Sequence, residues 1–230
     1  MSALGTPHLH LRATTSTNDR ARELAARGAP HGALVTAAEQ SAGRGRQGRA
    51  WSAPAGCALL LSVLVRRPLE LLPLAAGVAV AAVVGGEARI KWPNDVLVAD
   101  RKIAGILVEG RPQEGWAVIG VGVNVAVQLA DLPAELRGSA ATMGLERDAI
   151  PGVRDALLDE LDAVLRLAPG ELLDAYRERD ALAGRRISWA TGTGTAAGID
   201  GAGRLIVALD AGGQTELDAG EVHLTVTPAP

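Results

Sequence analysis

Between Gly43 and Trp51 the chain reads Gly-Arg-Gly-Arg-Gln-Gly-Arg-Ala-Trp, three arginines set among glycines, with no acidic residue from Gln40 until Glu70. In a chain of formal net charge −3 this is a local concentration of cation. Guanidinium forks suit phosphate and carboxylate, each charge-assisted bond contributing about 1.5–3 kcal/mol. Glycines let backbone N–H groups approach an anion and let a loop rearrange around it. Taken alone, the segment reads equally well as a solvated Arg/Gly linker or an RGG-like RNA contact.

Three further segments carry polar groups at the ends of apolar runs. Lys91-Trp92-Pro93-Asn94-Asp95 closes a strand with a proline and turns the chain on two polar side chains. Lys102-Ile103-Ala104-Gly105 opens the next strand, and a two-strand hairpin would bring Asp95 and Lys102 to one end. Gly120-Val121-Gly122-Val123-Asn124 is a G-x-G without the third glycine of a dinucleotide fingerprint, so alone it argues weakly for a nucleotide. An ordinary turn and a solvated lysine account for the first two singly. Cys and His show no metal-ligand spacing.

The elements that must position these residues follow from periodicity. Asp19–Arg27 is helical, with Ser16 or Thr17 as its N-terminal cap and Gly28 as its stop. Strands are expected over Ala33–Ala38, Cys57–Val65, Arg89–Trp92, Val96–Val98 and Ile103–Glu109, with a turn at 99–102. Trp116–Val127 is expected to close that sheet. Ser41–Ala50 is a loop, Leu71–Val84 a buried helix, and Pro151–Leu167 and Glu171–Leu182 amphipathic helices. After Gly184 come short β-prone runs, Arg186–Ala190, Leu205–Leu209 and Val222–Val226, separated by glycine-rich turns. The expected fold class is α+β, with a first domain over 1–182 and a small all-β domain over 183–230.

Composition bounds the rest. With 48% hydrophobic and 21% charged residues the chain is globular, not disordered. Four Trp, one Tyr and no Phe leave the core to Ala, Val, Leu and Ile, so each Trp is a candidate for a specific task. The acidic balance argues against bulk nucleic-acid binding. The single cysteine, Cys57, permits no intramolecular disulfide and reads as a small buried hydrophobe. Leu71–Val84 is broken by Pro73 and Gly77 and is too short to span a bilayer, and no signal peptide is evident. A soluble, cytoplasmic protein is expected.

Taken together, Ser16-Thr17-Asn18, the run Glu39–Trp51, Lys91–Asp95, Lys102–Glu109 and Gly120–Asn124 resemble, in order and spacing, the bacterial biotin–protein ligases over about residues 14–126. The resemblance implies a mixed β-sheet flanked by helices, of the class II synthetase-like biotin/lipoate ligase type, followed by an SH3-like barrel. It implies that biotin and ATP, with Mg²⁺, give biotinyl-5′-adenylate, and that a lysine of a biotin carboxyl carrier protein then takes the acyl group.

Carried over residue by residue, Ser16, Thr17, Asn18, Gln40, Gly43, Arg44, Gly45, Arg46, Lys102 and Gly105 would form the biotin site. Arg46, Arg49, Trp51, Asn94 and Asn124 would bind ATP and the adenylate. Lys102 and Arg46 would act as electrostatic clamps, and Asp95 as the group that accepts the proton of the acceptor amine. No residue is assigned to Mg²⁺, which would ride on the ATP phosphates. Many relatives have Asn-Leu-Tyr where Ala58-Leu59-Leu60 stands here, so polar contacts at Ala58 and Leu60 are lost. About 13 residues precede the first motif, too few for the DNA-binding domain of some relatives. The expectation is a ligase that does not bind DNA, either monomeric or a homodimer through a sheet edge. A lipoate-type acyl ligase and a non-enzymatic Gly/Arg-loop RNA-binding protein are the rival readings.

Overall fold

The computed structural model describes residues 4–68, 70–218, 220 and 222–224. Its larger sheet has seven strands: β1 (His8–Leu11), β2 (Leu34–Ala37), β3 (Ala58–Arg66), β4 (Arg89–Lys91), β5 (Asp95–Val98), β6 (Arg101–Arg111) and β7 (Trp116–Asn124). They lie in the order β1-β2-β3-β7-β6-β5-β4. Only β1 pairs in parallel, with β2; the other pairs are antiparallel, which makes the sheet mixed.

Side chains alternate across a strand, and β3 shows the consequence. Leu64 packs with Ala21 and Ala25 of helix α1 (Thr17–Ala26) on one face. Leu61, Val63 and Val65 join the main core on the other, with helices α2 (Leu72–Val84), α4 (Ile150–Val164) and α5 (Pro169–Arg177). A one-turn helix, α3 (Ala134–Arg137), lies between β7 and α4. Gly77 lets α2 settle on the sheet, since a Cβ there would stand 3.1 Å from Ile90 Cγ2.

The smaller sheet is antiparallel, with β8 (Arg186–Trp189), β9 (Gly192–Ile199), β10 (Leu205–Leu209), β11 (Gln214–Leu217) and β12 (His223–Leu224) in the order β11-β10-β9-β8-β12. Its Ile187, Ile199, Leu205 and Val207 belong to the same apolar cluster as Leu71, Leu74 and Trp92, so one core runs through both sheets. The junction is fixed by Trp92 Nε1, which donates to Gly203 O at 3.0 Å. The buried hydrophobic residues are chiefly Ala, Val, Leu and Ile, and Cys57 is among them.

Several expectations are corrected. The run at Trp116–Val127 does not close the sheet; β7 lies inside it, between β3 and β6, where both faces are covered and every residue is buried. Strands β1, β9 and β11 lacked an apolar signature: β1 is largely exposed, and β9 is Gly-Thr-Gly-Thr-Ala-Ala-Gly-Ile. Of the expected strand Val222–Val226, residues 225–226 lie outside the described residues. The turn at Ala99 and Asp100 is observed, both residues having positive φ (48° and 59°), as a tight hairpin requires. No helix among the described residues is long and apolar enough to cross a membrane.

Candidate active site

A cavity of about 240 Å³ opens where the arginine loop lies over strands β6 and β7. Its floor is neutral and polar. Ser16, Thr17 and Asn18 begin α1 there, and Gln40 meets them from the loop after β2. The expected Ser/Thr cap is not what forms: Ser16 occupies the cap position with extended backbone, but its side chain makes no capping bond. Gln40 Oε1 does the work instead, accepting from Thr17 N at 2.7 Å and Thr17 Oγ1 at 3.0 Å. A free N–H at the start of the helix is thereby satisfied from a distant residue.

Asn18 is held in one orientation. Its Nδ2 donates to Glu109 Oε2 at 2.8 Å and Leu107 O at 3.2 Å, and its Oδ1 accepts from Ser62 Oγ at 2.6 Å. Ser62 Oγ also lies 2.8 Å from Thr17 Oγ1. The motifs do not include Ser62, although the sequence marks it as the one polar residue in the apolar run Ala58–Val65.

The two glycines of the G-x-G segment prove to be spaces for side chains. A Cβ at Gly120 would stand 2.1 Å from Asn18 Oδ1, and one at Gly122 would stand 2.5 Å from the Trp51 ring. Gly105, directly opposite Gly122 in the β6–β7 ladder, makes the same allowance, with Trp51 Cζ3 at 3.0 Å. The indole therefore rests on a glycine floor, and Gly105, expected against the biotin ring, is covered by Trp51 in this arrangement. Trp51 Nε1 is buried and finds no hydrogen-bond partner among the described residues.

At the mouth stand the charges. Lys102 Nζ lies 2.7 Å from Asp95 Oδ1 and 5.6 Å from the centre of the Trp51 ring. The hairpin thus brings Asp95 and Lys102 together, as their spacing suggests. Arg46 and Arg49 also line the cavity. Partial burial, and then the neighbouring Arg49 charge, hold the Arg46 guanidinium below its ordinary range, with Asp95 acting in the opposite sense. A partly buried guanidinium beside a second cation forms a place that an anion would relieve.

Arg44 behaves differently from its two neighbours. Its Nη2 is 2.6 Å from Asp19 Oδ1 and 3.0 Å from Glu109 Oε2, while its buried Nε has no partner among the described residues. The local concentration of cation is partly offset here, because carboxylates distant in sequence pair with its first arginine. Gly43 and Asn124 lie outside the cavity lining. Gly43 allows the two ends of the loop to touch, since a Cβ would meet Trp51 O at 2.4 Å. Asn124 Nδ2 donates to Ala141 O at 2.9 Å and so anchors the chain beyond the sheet. Asn94 lines the cavity with its Nδ2 committed to Ile106 O at 3.0 Å. Ala58 and Leu60 pack in an apolar cluster with Cys57 and Val127, consistent with their lack of polar character.

Among the described residues no group of three or more His, Cys, Asp or Glu could hold a metal ion. Asp95, the one carboxylate of the cavity lining, already faces Lys102. The described residues therefore build no multi-ligand protein site for Mg²⁺.

Residues 11–125 match the model of the biotin/lipoate A/B protein ligase family, and residues 186–224 that of the biotin protein ligase C-terminal domain. The chain is 38% identical to the biotin–[acetyl-CoA-carboxylase] ligase of Mycobacterium tuberculosis, over 92% of this chain and 86% of that protein. It is 40% identical to the bifunctional ligase/repressor BirA of Bacillus spizizenii, over 56% of this chain but only 43% of that protein, so it spans less than half the length of that relative. In three dimensions it resembles the biotin protein ligase from Aquifex aeolicus in complex with biotin and ATP. That comparison has a TM-score of 0.80 at 23% identity and covers 96% of this chain and 100% of the other.

Proposed function

Because the chain belongs to the biotin/lipoate A/B protein ligase family, we propose that it activates biotin with ATP to biotinyl-5′-adenylate and transfers the biotinyl group to a lysine of a biotin carboxyl carrier domain. The observation that carries this reading is a single cavity with two chemistries: a neutral floor of Ser16, Thr17, Asn18 and Gln40, and a mouth of Arg46, Arg49 and Lys102. A neutral ring of donors and acceptors suits an uncharged urea, and the cations suit a carboxylate meeting a phosphate. The buried, unpartnered Trp51 Nε1 and Arg44 Nε are donors that a bound molecule can satisfy.

In the first step a biotin carboxylate oxygen attacks the α-phosphorus of ATP, and the bond to the β-phosphate bridging oxygen breaks to release pyrophosphate. Two anions must be brought together in line, so Arg46, Arg49 and Lys102 offset their repulsion. Mg²⁺ would enter coordinated by the ATP phosphates, and none of the steps assigned to these residues depends on it. Trp51 would cover the adenine, and closure of the loop Ser41–Ala50 would keep water from the mixed anhydride.

In the second step the acceptor amine attacks the acyl carbon and AMP leaves. A lysine near pKa 10.4 must first lose a proton, at a cost of roughly 4.6 kcal/mol at pH 7. Asp95 is the acceptor assigned to that proton. Its contact with Lys102 is compatible with an order in which Lys102 swings to the adenylate phosphate and the vacated carboxylate faces the incoming amine. The chain divides in this reading into a catalytic unit over 1–182 and a C-terminal unit over 183–230.

Incubation with biotin, ATP, Mg²⁺ and an apo carrier domain tests the proposal by the gain of one biotin on the carrier. Asp95→Asn is expected to leave adenylate formation within about threefold and to slow transfer about 100-fold, the usual worth of a positioned base. Equal loss in both half-reactions would remove the base role from Asp95.

A further inference from the structure

Glu109 ends the Lys102–Glu109 segment and does not line the cavity, and the reaction above gives it no task. Its carboxylate nevertheless joins the two parts of the site. Oε2 accepts from Asn18 Nδ2 at 2.8 Å and from Arg44 Nη2 at 3.0 Å, and Oε1 lies 3.5 Å from Arg22 Nη1. It is three-quarters buried, at 26% side-chain exposure, while Arg44 is 36% exposed, so the pair is open to screening by salt. The second carboxylate on Arg44, Asp19, sits on α1 one residue after Asn18 and contacts the same Nη2 at 2.6 Å.

We infer that Glu109 is a positioning residue with two separable actions: it sets the orientation of the Asn18 amide and it latches the arginine loop through Arg44. The first action follows from donor and acceptor identity. An amide can be turned end for end with little change in shape. Here a carboxylate that only accepts faces Nδ2, and a hydroxyl donates to Oδ1, so the two ends are not interchangeable. The Asn18 Oδ1 therefore stays towards Ser62 and Gly120, and the floor presents one fixed pattern to its ligand.

The second action follows from charge. Arg44 is the arginine nearest the start of the loop, and its guanidinium is ion-paired to two carboxylates of the protein body. Glu109 and Asp19 hold that end on the body of the protein. Arg46 and Arg49 line the cavity as Arg44 does, and with that end tethered the loop can adjust around an anion without leaving the site. The same carboxylate thus sets the floor and tethers the lid, and the sequence segment ends in an acid for that reason.

The two actions separate in Glu109→Gln and Glu109→Ala. Glutamine retains an oxygen that accepts from Asn18 but loses the charge that holds Arg44; alanine loses both. Limited trypsin digestion of the ligand-free full chain, read by mass spectrometry at Arg44, Arg46 and Arg49, reports the latch. Both variants, and Asp19→Asn, should be cut in the loop about fivefold faster than wild type, as local opening becomes easier, with melting temperatures close to wild type. Titration with biotin reports the floor: Glu109→Gln should bind within about threefold of wild type, and Glu109→Ala about tenfold more weakly, the worth of one charge-assisted bond.

Should Glu109→Ala fail to fold, digestion of wild type in rising salt, normalised to a small trypsin substrate, gives the latch its test. Selective acceleration in the loop supports the ion pair, and an unchanged pattern overturns it. Loop cleavage of Glu109→Gln at the wild-type rate also overturns the latch, and wild-type biotin binding by Glu109→Ala overturns the orienting action. The biotin titration rests on the ligase reading; the digestion does not. Wild type that ignores biotin would defeat that reading and leave the latch standing on its own result.

Discussion

Two tryptophans from the motifs of this chain have opposite fates. Trp92 is buried to 2% exposure and spends its Nε1–H on Gly203 O, across the junction of the two sheets. Trp51 lies on Gly105 and Gly122, with its Nε1 unpartnered and a lysine over its ring. One indole is a fully satisfied structural bolt. The other rests on a floor cleared of side chains, beside an apolar cluster and under a lysine, with a donor left over among the described residues. The difference teaches how to read a tryptophan: by what its N–H has found rather than by the motif that contains it. A satisfied, buried indole belongs to the architecture, and an unsatisfied one beside charges belongs to the site.

The contrast is most severely strained by removing the bolt. Trp92→Ala should lower unfolding free energy by about 3–5 kcal/mol, and Trp92→Phe, which leaves the Gly203 carbonyl unpaired, by about 1–3 kcal/mol. Urea denaturation measures both. A stability cost below 1 kcal/mol for Trp92→Ala would mean that the junction is not held there.

The next test acts on the other indole. In Gly122→Ala the added methyl meets the Trp51 ring and must displace it, since the gap is 2.5 Å. The expected result is a rise of about tenfold in KM for ATP, with stability changed by less than about 1 kcal/mol, because the ring can move off its floor. Unchanged KM for ATP together with lost stability would turn Trp51 into a second bolt.

The smallest effect concerns the support beneath β4, the strand that leads to Trp92. Ile90 is paired there with residues 179–181, where Asp180 Oδ1 accepts from Leu182 N at 2.8 Å. Burial raises the Asp180 carboxyl above its ordinary value, opposed by backbone N–H groups of Leu182 and Ala183. An acid whose folded value is raised binds its proton more tightly in the folded state. It therefore favours folding fully below its unfolded value, and that benefit fades as pH rises through the folded value. Asp180→Asn keeps the oxygen that accepts from Leu182 and removes the charge. The variant should gain on wild type in thermal melts as pH rises from 4 towards 7, by less than about 1 kcal/mol. A gain of the same size at both ends of that range would remove the ionisation from the explanation.

The division between architecture and site also marks what could be read in the chain. The order of motifs was sufficient for the family and for the mixed sheet with its helices, and the helix at Leu72–Val84 follows directly from composition. Asp95 and Lys102 meet because a hairpin permits it, and hairpins are local. What was not legible depends on partners far apart in sequence. Gln40 caps α1 from 23 positions away, and Arg44 finds its carboxylates 25 and 65 positions away. The glycines at 120 and 122 looked like a weak nucleotide signal, and their reason is the side chains of Asn18 and Trp51. Strand β9 escaped notice because its residues are small, and it is placed by pairing with β8 and β10 rather than by its own periodicity.

The central claim is that one cavity joins a neutral floor for biotin to a cationic mouth for the phosphates of ATP. Its most direct test is ATP–pyrophosphate exchange, measured with biotin, lipoate or octanoate as the acid. The account predicts exchange that depends on biotin, with lipoate and octanoate at background. Exchange driven by lipoate or octanoate and not by biotin, or no exchange with any of the three, would contradict it.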